Sequence, residues 1–431
     1  MQMSAEIGQQ MHKWMHDLFP IHRSLTGNGV RQTLGYIKKE LSELNIHTIA
    51  SGSSVFDWTV PDEWNIREAW IANSKNEKII DIKNHNLHVM GYSIPIDTWM
   101  TKEQLQPNLF SLPNQPDAIP YVTSYYRKNW GFCLTQNQYN EIPPNEPLHV
   151  KIDSELEPGQ LNYADLIIPG ETEEEILLST YICHPSMANN ELSGPVVALA
   201  LAKWLKSLHR RRYTYRFVFV PETIGAIVYL SKHIEHLKKK VVAGYVLTCL
   251  GDEGTFSFLP SRKGNSISDR AALSVLRDVT PDFIKYSYLQ RGSDERQYCS
   301  PGVDLPIASV MRSKYGCYPE YHTSLDDLNL VTPTGLAGGF GVLQQCLLAI
   351  EGNDTYRMIQ PCEPQLGKRG LYPQTSTANT QKIVENMMNI IGYSDGENDC
   401  ISISDITGVP LQECIDWCRK LTTHGVMEKI S

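Results

Sequence analysis

In the second half of the chain, the pattern of apolar and polar positions alternates between one typical of strands and one typical of helices. Runs of four to eight mostly apolar residues predict buried strands, and the longer apolar or amphipathic runs between them predict helices. Strands separated by helices of about ten or more residues predict a largely parallel sheet. The predicted strands are 165–168, 175–182, 215–220, 242–249 and 307–312, and the predicted helices are 195–207, 224–236, 268–278 and 334–351.

The pattern is different on both sides of this region. Residues 4–45 carry two apolar stripes at helical spacing and predict helices. From about residue 55 to residue 152, short β-prone runs alternate with Pro and Asn, which predicts a mostly β domain. Three helical segments and a final strand near the C-terminus follow the order of a winged helix.

These patterns divide the chain into domains. Residues 1–54 and 156–352 are predicted to form an α/β domain with a mixed, largely parallel sheet flanked by helices. A β-rich domain is inserted at 55–155. Residues 353–375, rich in Pro, Gly and Gln, predict a linker, and 376–431 predict a winged-helix-like domain.

Composition narrows the classes of protein. A net charge of −9 argues against a general nucleic-acid binder, and no apolar run reaches the length of a membrane-spanning helix. The N-terminal segment lacks the basic-then-apolar order of a signal peptide. The ten cysteines are scattered without a CxxC pair, so we expect reduced thiols in a cytoplasmic protein.

The C-terminal segment is acidic. Residues 376–431 carry four basic side chains against eight carboxylates, a formal charge of −4. Its predicted recognition helix, 411–422, contains Glu413 and Asp416, whereas contact with phosphates needs positive charge. We therefore predict a docking element through which the chain forms homo-oligomers. A regulator that binds DNA is the weaker alternative.

Candidate chemistry lies where predicted strands end. His184 follows the strand at 175–182 and precedes a loop of small polar residues that opens a helix. Open α/β sheets place their active sites at such strand ends. Other polar segments at comparable places are Pro221-Glu222-Thr223, Thr248 to Asp252, Gly292 to Tyr298, and Tyr321-His322-Thr-Ser-Leu-Asp326.

The order of these segments resembles the zinc-dependent aminopeptidase and glutaminyl-cyclase clan. The match covers most of residues 160–350. More narrowly, the whole chain is similar to bacterial proteins described as polysaccharide-biosynthesis proteins with an aminopeptidase-like domain. Its most specific pieces are Val55 to Asn65, His184-Pro-Ser and Tyr321 to Asp326. The resemblance implies a zinc-aminopeptidase-like fold with an inserted β-rich domain and a C-terminal winged helix.

The resemblance also implies roles for single residues. His184 and His322 match the two metal-binding histidines, Glu222 matches the general base, and Asp294 matches the carboxylate that supports the base. Three positions at which the clan has anionic ligands are neutral in this chain: Asn190, Thr223 and Thr248.

The lost carboxylates disfavour a two-metal site. Two divalent cations about 3.5 Å apart repel by about 19 kcal/mol at an effective dielectric constant near 20. We therefore predict one zinc ion bound by His184, His322 and an oxygen ligand, with Asn190 as the first choice. The oxygen remains open among Asn190, Glu191, Glu222, Asp252 and Asp294.

Further side chains are candidates for substrate binding. Arg296, Arg312, Tyr315 and Tyr321 could bind a carboxylate or sugar hydroxyls, but the alternative of structural ion pairs near the site is equally open. Glu222 could instead cap the helix that follows it. Trp58 and Trp64 could stack on a sugar or a peptide side chain, or could belong to the core of the inserted domain.

Two functions follow from these residues. The first is a cytoplasmic, zinc-dependent aminopeptidase-like hydrolase that cleaves an amide of a small peptide, aminoacyl or amino-sugar substrate, with a role in surface polysaccharide biosynthesis. The second is a catalytically degenerate peptidase fold that serves as a binding or interaction module, which the three neutral substitutions favour.

Overall fold

The N-terminal segment supplies two helices and an edge strand of the main sheet. The structure is a computed structural model that describes residues 2–372 and 378–430, with side chains described for 5–372 and 381–430. Helices α1 (Gln2–Leu18) and α2 (Asn28–Glu40) place their apolar stripes in the core. Helix was predicted as far as residue 45, but the chain becomes strand β1 (Asn45–Ala50). The six-residue pairing of β1 with a neighbouring strand outweighs the local pattern.

The inserted domain is built on a four-stranded antiparallel sheet. Its strand order is β5-β4-β9-β6, and the buried side chain of Trp64, 2% exposed, lies in its core. A short hairpin, β2 with β3, precedes this sheet. The elements in chain order are β2 (Ser54–Val55), β3 (Trp58–Thr59), β4 (Glu63–Ala72), β5 (Lys78–Asp81), β6 (Ile96–Met100), α3 (Lys102–Leu105), β7 (Leu109–Phe110), β8 (Phe132–Cys133), α4 (Gln136–Glu141) and β9 (Leu148–Glu157).

The remainder of the core domain alternates strand and helix, as its sequence predicts. The predicted strands and helices all occur, with ends that shift by a few residues. Their bounds are β10 (Gln160–Ile168), β11 (Glu175–Tyr181), α5 (Ser193–Ser207), β12 (Thr214–Val220), α6 (Ile224–Lys240), β13 (Val241–Val246), β14 (Ser257–Leu259), α7 (Ile267–Val279), β15 (Ile284–Lys285), α8 (Glu295–Tyr298), β16 (Ile307–Met311) and α9 (Pro333–Gly352).

The eight-stranded sheet is mixed, with a parallel centre. Its order is β1-β10-β12-β11-β13-β16-β14-β15. The four central strands, β12, β11, β13 and β16, run parallel, whereas β10 and β14 join them antiparallel. The chain leaves β11 to one side for β12 and crosses to the other side for β13. The carboxyl end of β11 is thus a topological switch point, where open α/β sheets bind ligands.

The C-terminal domain begins earlier than its composition suggests. The prediction of a linker at 353–375 is wrong for residues Thr355–Met358, which form strand β17. This strand is the centre of a three-stranded sheet, β18-β17-β19, and its Tyr356 is buried. Part of that predicted linker, 373–375, lies outside the described residues. The other elements are α10 (Ala378–Tyr393), β18 (Asp395–Asp399), α11 (Cys400–Thr407), α12 (Leu411–Thr423) and β19 (Met427–Lys429).

This domain packs against the core of its own chain. Arg270 of α7 donates to Asp399 at 2.8 Å, and Arg277 donates to Asp405 at 2.6 Å. Helix α12 contacts both α7 and α9. The predicted role as a docking element, and with it the homo-oligomer, remains a prediction.

Helix α9 is the central apolar helix of the core. Within the described residues it alone has the length and mean hydropathy, 1.2 over 18 residues, of a membrane-crossing helix, and 61% of that window is buried inside the protein. Its contacts with α1, α7 and α5 account for its apolar surface.

Candidate active site

The strand ends that carry polar segments in the sequence surround one cavity. His184 follows β11, Glu222 follows β12, and His322 lies in the long loop after β16. All three line a cavity of about 490 Å³, which is within the usual size range of small-molecule sites. The parallel centre of the sheet brings these loops to one edge, as the sequence predicts.

The loops that follow β11, β12, β13 and β16 each contain a non-glycine residue with a positive φ. Ser186, Thr223, Cys249 and His322 have φ values of 45°, 64°, 52° and 57°. Such a conformation costs a non-glycine residue about 1–3 kcal/mol and persists only where the surrounding structure imposes it. Four such residues at one end of the sheet are a pattern that is common at ligand sites.

His184 is held in one orientation by a buried carboxylate. Its Nδ1 donates to Glu191 Oε2 at 2.7 Å, and its backbone carbonyl accepts from Arg23 Nε at 3.0 Å. The same Arg23 nitrogen lies 3.8 Å from Glu191 Oε1, and both side chains are fully buried. This arrangement fixes the tautomer and leaves Nε2 facing the cavity, which is how metal-ligating histidines are usually supported.

Glu222 lies directly opposite His184. Its Oε2 is 3.6 Å from His184 Nε2, and its side chain is 20% exposed. Burial raises the pKa of Glu222 above its ordinary value, whereas the positive charges of His184 and Arg296 oppose the rise. Burial would by itself lower the pKa of His184, but the neighbouring Cys183 and Glu191 raise it well above the ordinary value.

The inserted domain positions His322. The backbone N–H of Tyr121 donates to the His322 carbonyl at 2.9 Å, and Ser324 exchanges two hydrogen bonds with Ile119. The ring of His322 stacks on Tyr321, with centroids 3.9 Å apart. His322 Nε2 is buried and has no hydrogen-bond partner among the described residues. Burial, and next the charge of His184, lower the pKa of His322 to about 3, so its ring stays neutral and can act as a ligand.

Thr223 is hydrogen-bonded to two charged-type side chains, those of Asp294 and Arg296. Its backbone N–H donates to Asp294 Oδ1 at 2.7 Å, and its hydroxyl accepts from the Arg296 guanidinium. Burial, and next the carboxylate of Glu222, raise the pKa of Asp294 well above its ordinary value. Asp294 therefore supports the backbone after Glu222 and does not bond to the Glu222 carboxyl group itself. Arg296 lines the cavity.

The remaining neutral positions are engaged in the protein's own hydrogen bonds. Thr248 donates to the Asn190 carbonyl at 2.8 Å and bonds to the Tyr181 hydroxyl at 2.6 Å. The Asn190 backbone N–H donates to Asp326, and its buried side-chain Nδ2 has no partner in the described part of the chain. Asn190 does not line the cavity, so the structure gives no support to its predicted role as a metal ligand.

The other candidate oxygens are also distinguished by their contacts. Glu191 is bound to His184, and Asp252 accepts from Asn189 at 2.8 Å and from Ser313 at 2.8 Å. Of the five candidates, Glu222 alone lines the cavity and faces His184 Nε2.

Two predicted substrate-binding residues lie elsewhere. Arg312 covers the ring of Phe256 at 3.8 Å and donates to the Gly254 carbonyl, and the Tyr315 hydroxyl donates to Glu295 at 2.6 Å. Neither lines the cavity, which favours the structural alternative for both. Tyr321 reaches the site only through its stacking on His322.

Several residues that support His184 or line the cavity have no signal in the sequence. Arg23 lies in an irregular loop between α1 and α2, and Tyr121 and Tyr125 come from the inserted domain, far from the motifs. Arg23 contacts His184, which lies 161 positions further along the chain. The two tyrosines reach the cavity because the inserted domain packs beside it. The two tryptophans differ in their location: Trp64 lies in the core, whereas Trp58 lines the cavity.

The residues present suit one metal ion better than two. Two imidazoles bound through Nε2 to one tetrahedral zinc at about 2.0–2.1 Å have ring centroids about 5 Å apart. Those of His184 and His322 are 5.3 Å apart. A second ion would lack carboxylate ligands, because Thr223 and Thr248 stand at those positions. Their hydroxyls are already hydrogen-bonded, to Arg296 and to Tyr181 respectively.

A second donor cluster lies behind His184. In the described residues, Cys183, His184 and Glu191 form the one group with three donor atoms within 4.8 Å of one another. Burial raises the pKa of the Cys183 thiol to about 12, and Arg23 adds positive charge beside Glu191. We assign this cluster to the support of His184, since a cation there would lack a thiolate and face a guanidinium.

Comparison with known proteins gives the family. A model described as "Domain of unknown function (DUF4910)" matches residues 12–353, and one described as "winged helix-turn-helix" matches residues 354–429. The chain belongs to the DUF4910 family. A relative from Clostridium acetobutylicum, provisionally named a polysaccharide biosynthesis protein with aminopeptidase-like domain, is 45% identical over 95% of this chain and 93% of its own.

Solved structures confirm the fold of this DUF4910 protein. A crystal structure from Clostridium acetobutylicum, provisionally described as a peptidase, matches with a TM-score of 0.94 and 42% identity over 100% of this chain and 98% of the other. BSAP, a zinc aminopeptidase from Bacillus subtilis, matches with a TM-score of 0.58 and 12% identity over 80% and 94%. The predicted aminopeptidase-like α/β fold with a C-terminal winged helix is thus confirmed.

Proposed function

We propose that this protein hydrolyses an amide bond with a single divalent cation, zinc being the first choice, at the cavity between His184, Glu222 and His322. One observation carries the proposal. His184, whose orientation Glu191 fixes, shares one cavity with the Glu222 carboxylate and with the neutral ring of His322, whose Nε2 has no hydrogen-bond partner among the described residues. A cytoplasmic location belongs to the proposal and is supported by ten free cysteines. The name of the Clostridium relative supports a role in polysaccharide biosynthesis.

The chain's own residues supply the proton chemistry. Zinc held by His184 Nε2 and His322 Nε2 would polarise the amide carbonyl and lower the pKa of water. Glu222 takes a proton from the attacking water and returns it to the departing nitrogen, so that an amine and a carboxylic acid are released. Asp294 accepts from the backbone N–H of Thr223 and Arg296 donates to the Thr223 hydroxyl, and both bonds would orient the neighbouring Glu222.

Zinc analysis is the direct test of this proposal. The purified protein, loaded with zinc and dialysed, should hold about one ion per chain. His322→Ala should lose it, and Glu191→Ala should lower zinc affinity about 10–100-fold because His184 is no longer oriented. The exposed His209, changed to Ala, is the matched control and should keep full zinc content. Absence of zinc from the wild-type protein after loading would contradict the proposal.

A second function is favoured by specific contacts. Arg296 and Tyr181 satisfy the hydroxyls that stand where carboxylates would bind metal, as expected of a cavity kept for binding rather than for catalysis. Such a module would bind its ligand equally well with Glu222→Gln and would hydrolyse no aminoacyl or amino-sugar amide.

DNA binding by the winged helix is expected to be absent. Helix α12 buries one face against its own domain, and its exposed positions include Asp416 as well as Arg419 and Lys420. The formal charge of −4 over residues 376–431 opposes phosphate contact. In a mobility-shift assay at about 50 mM salt, where nonspecific binding is strongest, we expect no retarded duplex DNA. A salt-dependent shift would support the regulator instead.

A further inference from the structure

Aromatic rings from the inserted domain form one side of the cavity mouth. Trp58 and Tyr126 line the cavity and remain 41% and 55% exposed. Their ring centroids are 6.2 Å apart, and the planes are tilted by 54°. The Tyr126 hydroxyl donates to the Thr59 carbonyl at 3.1 Å, which fastens its loop to the β2–β3 hairpin. Two exposed aromatic rings beside a cavity form an apolar surface suited to a ligand.

Polar groups line the same cavity as this aromatic pair. Thr123 and Tyr125 line the wall, and the Tyr125 hydroxyl bonds to that of Tyr121 at 2.8 Å. Arg296 also lines the cavity, and its Nε is buried with no hydrogen-bond partner among the described residues. A buried donor without a partner is costly, and a ligand oxygen would satisfy it. The wall therefore suits a ligand with several oxygens.

The shape of the mouth favours a sugar over an apolar peptide side chain. An apolar side chain gains most from complete enclosure, because every exposed part keeps its contact with water. Trp58 and Tyr126 instead form an open, tilted pair that covers one face of a ligand and leaves its edges in water. A sugar ring has an apolar C–H face for stacking and hydroxyls around its edge.

We propose that Trp58 and Tyr126 form a carbohydrate-stacking subsite that binds an N-acylated amino sugar, with its amide directed to Glu222 and His184. The binding of the sugar stands on the contacts above, and only the reaction rests on the proposed function. In that reaction the water oxygen bonds to the acyl carbon, the C–N bond breaks, and Glu222 returns the proton to nitrogen. An amino sugar and a carboxylic acid result.

Binding of N-acetylglucosamine to the full chain tests this subsite. The experiment uses Glu222→Gln, so that turnover does not consume the sugar, and follows calorimetry and tryptophan fluorescence. We expect saturable binding in the millimolar range. Trp58→Ala should weaken it about tenfold and remove the fluorescence change, whereas Trp58→Phe should retain part of the affinity.

Two control variants separate stacking from general perturbation. Phe56→Ala alters an exposed residue of the same hairpin that does not line the cavity, and Trp99→Ala removes an exposed tryptophan of β6 that does not line it either. Both should bind the sugar like the parent. Unchanged affinity in Trp58→Ala, or no saturable binding up to about 100 mM sugar, would overturn the subsite.

The outcome also separates this inference from the proposed hydrolase. Wild-type protein that binds N-acetylglucosamine through Trp58 without hydrolysing it supports the subsite and counts against the reaction. Protein that hydrolyses aminoacyl amides and does not bind the sugar supports the reaction and overturns the subsite.

Discussion

Glu222→Gln is expected to lower the turnover of any amide substrate by about 10²–10⁴-fold, which is the usual contribution of a general base. Gln has nearly the same shape as Glu but cannot accept the proton of the attacking water. The variant should fold normally, because the backbone N–H of Glu222 contacts Cys183 and the carboxylate makes no hydrogen bond in the described structure. Steady-state kinetics on aminoacyl anilides and N-acetyl amino sugars measure the effect.

Zinc content in the same variant distinguishes two roles of this carboxylate. If Glu222 is the base, the variant keeps its zinc and the loss falls on kcat. If Glu222 is the third zinc ligand, zinc affinity falls together with activity. Glu235→Gln, an exposed substitution on the helix that follows, should leave both unchanged. Full activity of Glu222→Gln would remove Glu222 from the mechanism.

Arg23→Met is expected to destabilise the core domain by about 3–5 kcal/mol, the usual cost of leaving a buried charge without its partner. Arg23 is fully buried between Glu191 and two backbone carbonyls, those of Leu18 and His184. Its removal leaves the Glu191 carboxylate, among the described residues, bonded to His184 alone. The midpoint of urea denaturation, followed by circular dichroism, measures the loss.

A double variant tests whether charge, rather than packing, is responsible. Arg23→Met with Glu191→Gln should lose clearly less than the sum of the single losses, because no uncompensated carboxylate is then buried. Arg67→Met removes an arginine that is exposed and paired with Asp153 and Glu155, and it should barely change the midpoint. Additive losses would assign the effect to packing.

The centre of the main sheet was predictable because its strands are buried. Along β11, β12 and β13 the residues are mostly apolar, and a segment with polar residues follows each strand. Strand β1 was not predictable, since its residues are mostly exposed and its existence depends on pairing with β10, more than 100 positions away. Strand β17 was hidden in a segment whose composition is typical of a linker.

The candidate site was predictable where chemistry lies at strand ends. His184, Glu222 and His322 came together because parallel strands share one edge. The support of His184 was not predictable, because Glu191 lies seven positions along a loop whose conformation no spacing rule fixes. Arg312 and Tyr315 look equally suited to a ligand in sequence, and only their contacts with Phe256 and Glu295 show otherwise.

The bond between Tyr121 and His322 has a consequence for folding. It joins residues about 200 positions apart on two separately built domains, and long-range contacts of this kind form late because the intervening chain must first be ordered. The inserted domain therefore supplies both the contacts that hold His322 and one side of the cavity. A chain from which that domain had been deleted would carry all three motif residues and still lack a complete cavity.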